Sequence, residues 1–242
     1  MNLYELLLII VLLLPGLLLM AINEKNLYTN IFTDVPLPSF GLRFINHVIL
    51  SVPFALLGLF FYKRAGFEDA FSLTGMDSPT LVLSLLCAFV NVIAYYFYFK
   101  KNVAETTYKE VEETRQQMWI GTRCFYGGIV EEVIFRFGIM SFFVWIGNLL
   151  TSPSILSIWA ANLLASLLFS LAHLPGIYQM KAPVTKTILF YSFTMNLLVG
   201  LICGWLYWQN GLAAAIICHM LFHLIWYLFE KFVFRFPIKN ET

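Results

Sequence analysis

The sequence predicts an all-α protein, a polytopic membrane helix bundle of about seven to eight transmembrane helices. Two observations carry this. Hydrophobic residues make up 60% of the 242-residue chain and charged residues only 12%, where a soluble domain carries roughly 25% charged residues. Apolar runs of about 20 residues also recur, each long enough to cross a bilayer as a helix. The formal net charge of +1 shows no basic or acidic excess, which removes the usual electrostatic signature of a nucleic-acid partner. Cys87, Cys124, Cys203 and Cys218 fall in apolar runs without CxxC spacing and read as small buried residues.

Each span follows from apolar length and from charged or Pro/Gly punctuation. The first covers 6–22, with Pro15 and Gly16 as a kink. No Lys or Arg precedes Lys25 and no A-x-A site follows, so a retained helix is expected rather than a cleaved leader. The second covers 44–62, ended by Lys63 and Arg64. The third covers 81–99, ended by Lys100 and Lys101. The fourth, 120–150, is too long for one straight span and is expected to be tilted, broken near Gly127 and Gly128, or split. The fifth covers 154–174, ended by Pro175 and Gly176. The sixth and seventh, 187–208 and 212–232, are separated only by Asn210 and Gly211, so they should be antiparallel neighbours. Residues 100–117 are polar and mixed in charge, and read as a solvated or interfacial helix that serves as a connector or as a substrate gate. The organisation expected is N-terminal helices and connector over 1–117, a membrane core over 118–234, and a cytoplasmic tail over 235–242.

With seven spans, eleven Lys and Arg outside the membrane, from Lys25 and Arg43 to Lys231, Arg235 and Lys239, fall on one side, and only Lys63 and Arg64 on the other. The positive-inside rule then puts the C-terminus in the cytoplasm and the N-terminus outside.

Ionisable groups inside the apolar runs locate the candidate chemistry, because a charge in hydrocarbon costs several kcal/mol unless paired or solvated. The segment GGIVEEVIFR, 127–136, holds Glu131, Glu132 and Arg136. Glu132 and Arg136 are four apart and can pair on one helix face, which leaves Glu131 to find a partner on another helix. His173, His219 and His223 lie in later spans, the last two also four apart. His47 reads as a helix–helix hydrogen-bonding residue. Glutamate and histidine together can activate water, a second histidine can donate to an oxyanion, and the same groups can hold a divalent metal that makes the nucleophile. Either route leads to acyl-bond hydrolysis. The chain has no GxSxG, HExxH or GxxxxGK[ST] motif, so a serine hydrolase, zincin or P-loop reading lacks support.

Three motifs in order, EExxxR at Glu131–Arg136, FxxxH at Phe169–His173 and HxxxH at His219–His223, resemble those of the CPBP (Abi) family of CAAX prenyl endopeptidases and bacteriocin-processing proteins. The resemblance covers about half of the chain. It implies an intramembrane endopeptidase acting on a membrane-associated, prenylated or leader-bearing peptide or protein substrate in the lipid bilayer. Glu131 would be the general base, supported by His173. Glu132 would hold Arg136, with Phe169 also supporting the site, and His219 and His223 would serve the oxyanion. The family has been argued both as metal-dependent and as metal-free, so Zn2+ on Glu131, His173, His219 and His223 and no cofactor at all both stay open. This chain departs from the family pattern at His223, where the family has Asn or Asp. The alternatives are a catalytically silent scaffold of the same fold and a proton or metal-ion carrier. A carrier would string polar groups along a path, and beyond the motifs the spans offer mainly Asn91, Asn162 and Asn196, which read as interhelical hydrogen bonders, with Gly200 and Gly204 as a packing face.

Overall fold

The structure, a computed structural model, describes residues 2–30, 36–73, 77–180 and 182–234; the expected tail over 235–242 lies outside them. All regular elements among these residues are helical. Helix α1 spans Leu3–Asn30 and α2 Phe40–Phe61; α3 spans Ser78–Phe99. A short polar helix α4, Glu105–Gln116, leads into α5, Ile120–Thr151. Then come α6, Ile155–Ala172, α7, Leu174–Gln179, α8, Lys186–Asn210, and α9, Leu212–Val233. Seven of the described helices are long and apolar enough to cross a membrane. Their outward faces carry large apolar side chains such as Val11, Leu50, Leu86 and Phe190, as lipid contact requires.

The ends of these helices follow from local chemistry. Ser39 Oγ accepts the Leu42 N–H and starts α2; Asp77 does the same for Thr80 and starts α3, satisfying amides that a helix leaves unpaired. The first helix runs past the expected end at 22 because its polar residues have partners. Asn23 is fully buried: its amide donates to the Gln117 carbonyl (2.7 Å) and its Oδ1 accepts the Trp119 N–H (2.8 Å), which fixes the link between α4 and α5.

The long fourth span is one continuous helix. It is wound as π-helix over Arg123–Glu131 and Val133–Met140, a geometry with i→i+5 hydrogen bonds that is rare and often found at functional sites. The first stretch packs against α1 and α9, the second against α2 and α6. Close approach to α9 depends on Gly127 and Gly128: a Cβ on Gly127 would lie 2.7 Å from His223 Nε2, and one on Gly128 would run into Met220. Gly211, at φ +83°, makes the turn between α8 and α9, and these two helices pack together as expected.

One large core joins α1, α2, α5, α6, α8 and α9. A second, aromatic cluster joins the C-terminal end of α3 to α4, α7 and α8 through Tyr95, Phe99, Tyr108, Ile177 and Tyr191. Asn91 accepts from the Tyr191 hydroxyl (2.8 Å) and Asn162 donates to the Leu201 carbonyl (3.0 Å), both between helices. Asn196 instead donates to Ser192 on its own helix. Gly200 and Gly204 pack against Ser166 and Asn162. All four cysteines are buried and free.

Candidate active site

The two adjacent glutamates of α5 have different surroundings. Glu132 has no exposed surface and Arg136 is 1% exposed. Glu132 Oε2 lies 3.2 Å from Arg136 Nε, and its Oε1 accepts from His219 Nδ1 at 2.7 Å. Both carboxylate oxygens are therefore engaged, one by a residue of the same helix and one by α9. The pairing with His219 has no counterpart in the sequence spacing. It places a proton on His219 Nδ1, so a neutral His219 presents a lone pair, not an N–H, at Nε2.

Glu131 is partly exposed and faces a cavity of about 300 Å³. Its Oε2 is 3.7 Å from His173 Nε2, beyond a direct hydrogen bond. His173 Nδ1 is 2.8 Å from the Phe169 carbonyl. A carbonyl only accepts, so the proton sits on Nδ1 and Nε2 is free to accept.

The four rings of the late motifs form one stack of contacts. Phe169 meets His173 at 4.5 Å and His219 at 5.6 Å between ring centroids, and the Arg136 guanidinium lies 4.7 Å above it. The His219 and His223 rings stack at 4.9 Å. His223 lines the cavity together with Glu131, His173, Tyr126 and Gly127. The structure thus brings Glu131 to His173, Glu132 to Arg136 and His219, and His223 to the cavity wall.

Among the described residues no three His, Cys, Asp or Glu side chains are grouped so as to hold a metal ion. The four residues considered for Zn2+ do not form such a group.

Two buried polar clusters were not apparent from sequence. In one, Arg115 on α4 pairs with Glu112 (2.8 Å) and with Glu230 on α9 (2.5 Å), and Arg123 on α5 also reaches Glu230 (3.1 Å); the Tyr95 hydroxyl donates to Glu112. Burial works against the charge on Arg115, but Tyr95, Glu112 and Glu230 outweigh it and raise its pKa above the usual arginine value. The polar segment before α5 is thus more than a solvated connector. One face of α4, with Thr107, Tyr108, Val111 and Glu112, is buried, and Arg115 lines the cavity. The sequence signal for this cluster is Arg123 inside an apolar span, and its carboxylate partner, Glu230, is over a hundred residues away. In the other, His47 hydrogen-bonds the Tyr126 hydroxyl across helices at 3.0 Å, as expected, and its Nε2 also lies 3.3 Å from Glu24 Oε1.

The family model described as "Rce1-like: Type II CAAX prenyl endopeptidase Rce1-like" matches residues 115–225. Residues 115–225 are thus similar to the Rce1-like family over a little under half of the chain. The match takes in all three motifs, and the resemblance to the CPBP family holds at this level. No curated protein and no solved structure matches the chain. At family level the Rce1-like match supports a CAAX-type intramembrane protease, and the seven apolar helices make the chain a multi-pass membrane protein.

Proposed function

We propose that this Rce1-like protein is an intramembrane endopeptidase of the glutamate type, in which Glu131 takes a proton from the attacking water. One observation carries the reading: of two adjacent carboxylates, Glu132 is buried and bound on both oxygens, while Glu131 faces the cavity opposite His173. The 3.7 Å between Glu131 and His173 suits a bridging water. Both groups facing that position accept hydrogen bonds, so a water there donates one proton to each and turns an oxygen lone pair towards a substrate carbonyl. Glu131 removes its proton as the oxygen attacks. His223, at the cavity wall, donates to the oxyanion; His219 holds Glu132 and adds a second donor when its Nε2 also carries a proton. The substrate is a membrane-associated, prenylated or leader-bearing peptide, and the apolar side chains of the cavity suit it. A farnesylated CAAX-type peptide carrying a fluorophore and a quencher, offered in proteoliposomes, tests the reading. Cleavage by the parent protein supports it; no cleavage by the parent favours the silent scaffold.

The metal-free form of this mechanism has its own expected result. Treatment with 1,10-phenanthroline leaves the cleavage rate unchanged, and His223→Asn, which supplies an amide donor at the same place, stays active without added metal. Loss of activity on chelation, restored by zinc, would contradict it.

The orientation proposed is N-terminus outside and C-terminus cytoplasmic. The pairing of Lys63 with Glu5 at 2.7 Å supports putting the start of α1 and the end of α2 on one side, the side poor in basic residues. A tag fused after Thr242 is expected to be inaccessible to an impermeant reagent in intact cells; labelling of that tag without permeabilisation would reverse the topology.

A further inference from the structure

We propose that Tyr126 is a second catalytic residue, an acid that protonates the leaving amine and is itself supplied with a proton by a Glu24–His47 pair. The proposal rests on the hydrolase reading above. Tyr126 lines the same cavity as Glu131, His173 and His223. It stands five residues before Glu131 within the π-wound stretch, where the i→i+5 repeat brings such residues onto a common face. Its hydroxyl is 3.0 Å from His47 Nδ1, and the two rings meet edge-on at 5.1 Å. His47 Nε2 is 3.3 Å from Glu24 Oε1, and Arg43 Nε lies 3.8 Å from the other oxygen of Glu24. Three helices, α1, α2 and α5, thus converge in a chain from a carboxylate through an imidazole to a phenol at the cavity wall.

A packing role asks less than this. One hydrogen bond from His47 would tie two helices together; here Nδ1 meets the Tyr126 hydroxyl and Nε2, without a hydrogen bond of its own, faces the Glu24 carboxylate at 3.3 Å. A carboxylate beside one imidazole nitrogen orients the ring. With a proton on each nitrogen, Nε2–H faces Glu24 Oε1 across 3.3 Å and Nδ1–H donates to the Tyr126 oxygen. The hydroxyl proton of Tyr126 is then not spent on His47 and is available to the cavity.

The step balances as follows. The water oxygen bonds to the substrate carbonyl carbon while its proton goes to Glu131. As the carbon–nitrogen bond breaks, the leaving nitrogen takes the Tyr126 hydroxyl proton, and the Tyr126 oxygen takes the Nδ1 proton of His47. His47 is left neutral, with Nε2–H still facing Glu24. After product leaves, Glu131 releases its proton to water and His47 regains one from water, so the net reaction is hydrolysis.

A leaving group that needs no proton separates this role from a positioning role. Two probes are used with purified protein in proteoliposomes: the quenched farnesylated CAAX-type peptide, and a p-nitrophenyl ester of the farnesylated cysteine peptide, whose leaving phenolate departs unprotonated. Tyr126→Phe keeps the ring and removes the hydroxyl. It is expected to lower kcat on the peptide on the order of 100-fold, within the range of general acid catalysis, with KM unchanged and the ester cleaved as by the parent. His47→Gln serves as the second variant and is expected to lose rate on the peptide alone. Parental peptide cleavage by Tyr126→Phe would overturn the proposal, as would an equal loss on both probes, which marks a positioning role. Glu131→Gln distinguishes the two levels. If it cleaves the peptide like the parent, Glu131 is not the base and the step written here fails; if the parent cleaves neither probe, the hydrolase reading fails and this one with it. If Glu131→Gln is inactive and Tyr126→Phe is not impaired, only the role of Tyr126 fails.

Discussion

The Glu131→Gln protein is expected to be folded and inactive. Glutamine keeps the shape of the side chain and can still hydrogen-bond towards His173, but its amide has no basic oxygen to take a proton from water. Removing a general base costs on the order of 10²–10⁴-fold in rate, so peptide cleavage should fall to the limit of detection. Folding should be untouched, because Glu131 faces the cavity and makes no close ion pair: its nearest partner, His173, is 3.7 Å away. Rate constants from the quenched peptide, together with the elution profile in detergent, read both halves of this statement. Parental cleavage by the variant would show that Glu131 is not the group that activates the water.

Arg136→Ala is expected to act on stability. Glu132 has no exposed surface, and Arg136 supplies the neighbour on one of its two oxygens. Without the guanidinium the carboxylate loses its cation and keeps the hydrogen bond from His219, in the interior of a membrane bundle. Breaking a buried pair by removing one partner costs roughly 3–5 kcal/mol in soluble proteins, and here the Arg136 contact over Phe169 is lost as well. A clearly lowered melting temperature in detergent and reduced abundance are the expected results. Arg136→Lys should recover part of the loss, because it restores the charge without the planar stacking surface. Unchanged melting of Arg136→Ala would mean that Glu132 does not depend on this pair.

The parts of this protein that could be read from sequence are those set by short-range periodicity. Apolar length marks the seven spans, and spacing by four residues points to Glu132 with Arg136. The same rule misses what the π-helical winding of α5 does, since i→i+5 repeats move Tyr126 onto the face of Glu131. Long-range pairing is equally invisible: nothing near Glu132 announces His219, and nothing near Arg115 announces Glu230. The extension of α1 to Asn30 depends on Asn23 meeting the 117–119 link, and polar composition alone reads as the end of a span. In each case the missing information is which helix lies beside which.

The central claim is that water, activated by Glu131, attacks a peptide carbonyl inside this bundle. Cleavage of the farnesylated CAAX-type peptide in proteoliposomes prepared in H2¹⁸O, followed by mass spectrometry of the newly formed C-terminus, tests it most directly. The parent protein should yield product carrying one ¹⁸O in the new carboxylate from the first turnover, and Glu131→Gln should yield no product. Unlabelled first-turnover product, or labelled product from Glu131→Gln at the parental rate, would contradict the claim.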